Sequence, residues 1–141
     1  MVGDGSLLMH GMEIRTAVRY RLPIVITVVN NSALGNVHLR ALHESPEAVR
    51  VAEIPTQDWA AFSRSLGGDG VVVEHPADLP SAFERAFAAK DRPFVVDLEH
   101  PEPAVHVEAL AVVVPAVVAV DDAVGGGLLD VDRFPSSGFP L

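Results

Sequence analysis

There is no cysteine in this sequence, which excludes disulfides and thiolate metal sites and makes a reducing, cytoplasmic setting the default expectation. Positive charge is also scarce: 10 Lys and Arg stand against 19 Asp and Glu, for a net charge of -9. That balance offers no footprint for a phosphate backbone or an anionic bilayer, so neither nucleic acid nor membrane is expected as a partner. A basic leader followed by an apolar stretch is missing from the first residues, which gives no sign of a secretory signal. The longest apolar run, Ala109 to Val120, has twelve residues including a proline, too short to span roughly 30 Å of hydrocarbon. It reads as core or as an apolar tail.

The 141 residues are 49% hydrophobic and 21% charged, the composition of one main globular unit with its own core. Charge is unevenly placed: residues 1–50 carry five Arg against four acids, and residues 51–141 five basic against fifteen acidic groups. Hydrophobic spacing predicts a helix from about Leu7 to Arg21, closed by Pro23, with Arg15, Arg19 and Arg21 on its solvated face. "IVITVV", Ile24 to Val29, is an unbroken β-branched run of the kind that forms a strand buried on both faces, ended by Asn30 and Asn31. Residues 32–51 are polar and irregular with helical patches. Glu53 to Asp58 reads as a loop, leading into a helix over Asp58–Gly67 capped near Thr56. A strand over Val71–Glu74, a helix in which Asp78 can cap and Leu79, Phe83, Ala86 and Phe87 share a face, and a strand over Pro93–Glu99 complete the alternation. Trp59, Phe83 and Phe87 are core candidates. This alternation predicts an α/β fold, a three-layer parallel sheet with helices on both faces. Beyond Pro101 the period is lost, and the glycine- and proline-punctuated end is expected to be poorly ordered.

The chemistry is carried by "GDGSLLMHG", Gly3 to Gly11, and the Asn30-Asn31 pair. A turn, a helix, a bend and a six-residue strand between Asp4 and Asn31 amount to one crossover, which returns the chain beside the strand it left. Both side chains then stand past the carboxyl ends of neighbouring parallel strands, on the rim where open α/β sheets bind ligands. A carboxylate and an amide oxygen are hard donors suited to Mg²⁺ or Ca²⁺, and Mg²⁺ takes few protein carboxylates and completes its octahedron with phosphate oxygens and water. Gly3 and Gly5 allow close backbone approach, Ser6 offers a hydroxyl and an amide, and the following helix start favours an anion.

Gly3-Asp4-Gly5, followed after 24 residues by Asn30-Asn31, resembles the signature of thiamine-diphosphate-dependent enzymes. The text from Gly3 to Val37, continued through Asp58 to Glu99, is similar to the carboxyl-terminal, diphosphate-binding domain of the acetolactate synthase and benzoylformate decarboxylase group, over about residues 2–103. The resemblance implies that Asp4 and Asn31 bind Mg²⁺ through side-chain oxygens and Ala33 through its carbonyl. Gly3, Gly5 and Ser6 would line the diphosphate of the cofactor. Gly35 matches the family's glycine, whereas Leu34 stands where many relatives carry an aromatic residue. It further implies a 2-keto acid substrate and a decarboxylase or carboligase whose activating glutamate sits on a separate pyrimidine-binding domain, supplied by a companion chain or a homo-oligomer. No catalytic residue is assigned within this sequence.

Other readings compete. Gly68-Asp69-Gly70 repeats the triplet without downstream asparagines and reads as a turn. Ser6 lacks the Gly-x-Ser-x-Gly elbow of a nucleophile, and a P-loop's Gly-Lys-Ser/Thr element is missing. His38, His43, His75, His100 and His106 read as surface or loop residues, and His10, one turn beyond the diphosphate turn, as a residue facing either the site or solvent. The expected organisation is a binding domain over residues 1–103 lacking its first strand, hence incomplete, and an apolar, Gly/Pro-rich tail over residues 104–141. Such a chain is expected to be a fragment, a split subunit or an incomplete product, inactive alone. A non-catalytic remnant or an oligomerisation module is the alternative function.

Overall fold

A computed structural model describes residues 1–99; the expected tail, His100 and His106 lie outside the described residues. Four strands, β1 (Val2–Gly3), β2 (Val25–Asn30), β3 (Asp69–Val73) and β4 (Phe94–Glu99), form one sheet in the order β1-β2-β4-β3, parallel throughout. The crossover from β1 to β2 consists of α1 (Asp4–His10), one 3₁₀ turn (Gly11–Glu13) and α2 (Ile14–Arg19). Between β2 and β3 lie α3 (Gly35–Ala41), α4 (Pro46–Ala52) and α5 (Trp59–Ser65), and α6 (Leu79–Ala88) returns the chain from β3 to β4.

Alternation along the strands separates two cores. Phe94 and Val96 face α6, where they pack with Val73, Leu79, Ala82, Phe83 and Ala86. Val95 and Val28 face the other way and pack with Leu7, Ile14 and Trp59. Helices therefore cover both faces and give the expected three layers. Phe83, Phe94, Val28, Val95 and Val96 are almost wholly buried, and side chains of this size each contribute roughly 1.5–3 kcal/mol on burial. Phe87 is half-buried beside them, stacked on Phe83 at 5.8 Å between ring centres.

Several boundaries differ from the sequence reading. The first helix starts at Asp4, not Leu7: Gly3 is its extended cap residue, so the Gly-Asp-Gly triplet is the strand-to-helix junction itself. The helix changes to 3₁₀ geometry over Gly11–Glu13 and ends at Arg19, with Arg21 in the left-handed region at φ 53° before Pro23. A first strand is present, two residues long, pairing Val2 with Val28 and Gly3 with Val29. The cap of α5 is Asp58, whose Oδ1 accepts from the Ala61 N–H at 2.6 Å, not Thr56. Asp78 makes no side-chain cap. Ser45 caps α4, ahead of Pro46 at its first position, a favoured start that the sequence reading passed over.

Gly68-Asp69-Gly70 is not simply a turn, because Asp69 and Gly70 open β3. A side-chain carbon at Gly70 would lie 2.9 Å from Ala60 Cα and 2.9 Å from the Val95 carbonyl oxygen. The glycine thus lets α5 rest directly on the sheet, and both obstacles are backbone. Gly70→Ala is expected to destabilise the chain by about 1–3 kcal/mol through overpacking, measured as a lower urea midpoint with an unchanged slope.

Candidate functional site

Register builds the site. Gly3 pairs with Val29, so both chains leave the sheet within two residues of each other, one into α1 through Asp4 and the other into a turn through Asn31. Asp4 and Asn31 are buried at 2% and 7% exposure. The inward end of the Asn31 amide lies 3.2 Å from Asp4 Oδ1 and 3.2 Å from the Ala33 carbonyl oxygen. With nitrogen inward it donates to both. A half-turn of the amide puts its oxygen there, 3.2 Å from each of the other two oxygens, a spacing near the edge, about 3 Å, of an octahedron with bonds of about 2.1 Å.

Between the two contributing residues, Ser32 holds a left-handed backbone at φ 54°. This bend brings the Asn31 side chain and the Ala33 carbonyl round to the same point, at a cost of order 1–3 kcal/mol for a non-glycine residue. Four hydrogen bonds hold the turn to the segment ahead of α5. Leu34 N–H donates to the Ala52 carbonyl at 2.8 Å, and Ile54 N–H to the Ser32 carbonyl at 2.9 Å. Ser32 Oγ and Thr56 Oγ1 lie 2.7 Å apart, and Asn30 Nδ2 donates to the Gln57 carbonyl at 2.9 Å.

Burial raises the Asp4 pKa above the ordinary carboxylate value, against the backbone N–H groups of Gly5, Ser32 and Ala33, which favour the ionised form; the Gly5 N–H donates to Oδ1 at 2.8 Å. A side-chain carbon at Gly5 would lie 2.7 Å from Leu34 Cδ2, so Leu34 is seated over the glycine. Gly3, Asp4, Gly5, Ser6, Ala33 and Leu34 line one open cleft of about 190 Å³, joined by Gly35, Asn36 and two apolar residues, Met9 and Val37. Of the residues singled out in the sequence, Gly3, Asp4, Gly5, Ser6 and Ala33 line this cleft, and Asn31 does not line it but meets Asp4 and Ala33 through its amide. Among the described residues no three His, Asp or Glu side chains cluster as a metal site. The oxygen set here is one carboxylate, one amide and one carbonyl, which fits a hard cation that keeps positions open for a ligand.

This sequence matches, over residues 1–98, the family described as thiamine pyrophosphate enzyme, C-terminal TPP binding domain. The chain belongs to that family. It is 32% identical over 99 residues to the acetolactate synthase large subunit of Haemophilus influenzae, covering 70% of this chain and 17% of that protein. To the 2-hydroxyacyl-CoA lyase of Arabidopsis thaliana it is 32% identical over 102 residues, covering 68% and 18%. Among solved structures it is similar to the Rhodococcus jostii RHA1 thiamine diphosphate-dependent 4-hydroxybenzoylformate decarboxylase, with a TM-score of 0.62 and 25% identity over 72% of this chain and 19% of that one. This thiamine pyrophosphate enzyme domain therefore spans less than a fifth of the length of these relatives.

Other residues separate from the cleft. His10, His43 and His75 are exposed, as are Arg15, Arg19 and Arg21; Arg15 donates to the Leu66 carbonyl at 3.1 Å. His38 is not a surface residue: it is 5% exposed on α3, with Nδ1 lacking a hydrogen-bond partner. Among the described residues no helix is long and apolar enough to cross a membrane. The residue that the sequence reading missed most clearly is Asp97, wholly buried in the middle of β4. Its only advance signal is an acid inside a β-branched run.

Asp97 Oδ2 accepts from the Trp59 N–H at 2.8 Å, at the start of α5. Burial pushes its pKa up to about 6, opposed by the Trp59 N–H and the Asn30 amide and reinforced by the charges of Glu99 and Asp58. Because the folded value lies above the ordinary 3.8, the folded chain binds this proton more tightly than the unfolded chain. The associated stability is complete below about pH 3.8 and is lost as pH rises to about 6. Asp97→Asn keeps an acceptor without the charge. Its stability relative to the parent chain is expected to rise between about pH 4 and pH 7 by up to roughly 3 kcal/mol, read from urea midpoints; a pH-independent difference would show that Asp97 ionises normally.

Proposed function

We propose that this chain is the Mg²⁺- and thiamine diphosphate-binding portion of an acetolactate synthase-like 2-keto acid decarboxylase or carboligase, completed by a pyrimidine-binding domain on a companion chain or a second copy. The observation that carries the reading is the convergence of Asp4 Oδ1, the Asn31 amide and the Ala33 carbonyl at 3.2 Å spacings on the carboxyl rim of the sheet. Asp4 supplies the charge, and Asn31 and Ala33 supply neutral oxygens. The remaining positions of an octahedral Mg²⁺ are left to diphosphate oxygens and water.

Gly3, Gly5 and Ser6 form the strand-to-helix junction against which the diphosphate rests, at a helix start that favours an anion. When bound, thiamine diphosphate supplies the nucleophilic carbon and the electron sink for cleavage beside a carbonyl. The residues of this chain bind and orient it and hold the cation. Association with a neighbour is supported by the apolar surface next to the cleft: Leu8, Met9 and Met12 are 61%, 70% and 64% exposed on α1 and the turn after it. Side chains of this kind grouped at one surface are suited to burial in an interface.

In calorimetric titration, Asp4→Ala and Asn31→Leu are each expected to weaken Mg²⁺-dependent thiamine diphosphate binding at least tenfold, about 1.4 kcal/mol or more, with the unfolding midpoint lowered little or not at all. Binding by the parent chain that does not depend on Mg²⁺ would overturn the metal assignment. The isolated chain is expected to release no carbon dioxide from 2-keto acids, and to do so once a pyrimidine-binding partner is added; turnover by the chain alone would contradict the split arrangement.

A further inference from the structure

We propose that Asn30 is a positioning residue for the cation site, tying the Asn31–Ala33 turn to a segment that Asp97 anchors from the middle of the sheet. The inference rests on the Mg²⁺ reading above and goes beyond it, because Asn30 does not face the converging oxygens.

Its place in the strand makes the amide expensive. Asn30 ends a run of Val25, Ile26, Thr27, Val28 and Val29, and it is 3% exposed on the same face as Val28, which packs with Trp59. Burying an amide with incomplete hydrogen bonding costs stability where an aliphatic side chain would add it, and Asn30 Oδ1 has no hydrogen-bond partner. What the residue does make is the bond from Nδ2 to the Gln57 carbonyl, together with the side-chain interaction of the same amide with the Asp97 carboxylate. Gln57 lies two residues before Trp59, whose N–H is fixed by Asp97 Oδ2, and Asp97 is held between β2 and β3 by pairing with Val28 and Val72.

The path is short and continuous. The middle strand fixes Asp97, Asp97 fixes the start of α5, the residues ahead of α5 fix Asn30, and Asn30 adjoins Asn31. The other bonds across this seam, from Leu34 to Ala52, from Ile54 to Ser32 and between Ser32 and Thr56, hold the strained Ser32 to the same segment. A left-handed serine persists only where its surroundings over-determine it, and these bonds contribute to that alongside the Ser32 and Ala33 N–H groups that face the Asp4 carboxylate.

Four variants of the full chain test the proposal, Asn30→Ala inside the seam, Thr56→Val at its exposed edge, and Asp97→Leu and Asp97→Asn at the anchor. Thr56→Val tolerates folding even where Asn30→Ala does not. Amide hydrogen exchange is followed at Leu34 and Ile54, with the β4 amides Val95 and Val96 as the reference, and Mg²⁺ affinity is titrated in the presence of thiamine diphosphate. The expected result is at least a tenfold loss of protection confined to Leu34 and Ile54, with Mg²⁺ binding at least tenfold weaker. Asp97→Leu is expected to give the same pattern with Trp59 added, and Asp97→Asn, which retains the acceptor, to restore it. Uniform loss of protection across the sheet, or unchanged protection at Leu34 and Ile54, would overturn the positioning role in favour of a purely structural one. The exchange readings need no cation, so they decide the seam even where the parent chain binds no Mg²⁺, an outcome that would count against the proposed function separately.

Discussion

The backbone pairing of Val2 and Gly3 with Val28 and Val29 fixes everything at the rim. Parallel pairing in this register makes the two chains leave the sheet at the same level, and a slip of one residue would carry the Asp4 carboxylate to a different height from Asn31 and reverse the facing of the strand. The strand is only two residues long, so its position is set less by its own ladder than by the crossover it leads into, where Leu7 and Ile14 pack with Val28, Trp59 and Val95. Apolar burial along the crossover helices thus aligns a polar site at the sheet end.

Stability and site chemistry are divided between regions of the same sheet. The α6 side is an apolar cluster of Val, Leu, Ala and Phe. The other face, from mid-strand Asp97 to the carboxyl rim, accumulates buried polar groups, Asp97, Asn30, Asn31 and Asp4, each of which disfavours folding unless paired. The unpartnered atoms Asn30 Oδ1, Trp59 Nε1 and Asp97 Oδ1 all fall there. A domain that surrenders stability at one end for polar geometry needs the surplus that Phe83, Phe94 and their neighbours supply at the other.

What could be read from the sequence came from periodicity and from spacing. The β-branched runs of β2 and β4 mark buried strands because their residue types suit little else, and the crossover length between Asp4 and Asn31 dictates their adjacency once both strands are known to be parallel. Features that depend on distant partners were not legible. Thr56 and Asp58 are both good cap residues, and the choice between them is made by Ser32, far away in sequence, which engages Thr56. Asp69-Gly70 has turn composition, yet becomes strand because α5 needs the space above Gly70. His38 sits in a polar stretch without a clear period and is buried nevertheless, and the Asn30–Gln57 bond joins two residues of loop-forming type that local pattern gives no reason to link.

Leu34 lying over Gly5 has a consequence for how this cleft can vary. One contact makes the strand-to-helix junction and the wall beside it a single mechanical piece, so a bulkier side chain at residue 34 has to displace the opening turn of α1 or swing outward over the mouth of the cleft. Diversification at that wall is consequently tied to the tilt of a helix whose first residue is Asp4, and chemical tuning of the mouth would be felt at that carboxylate.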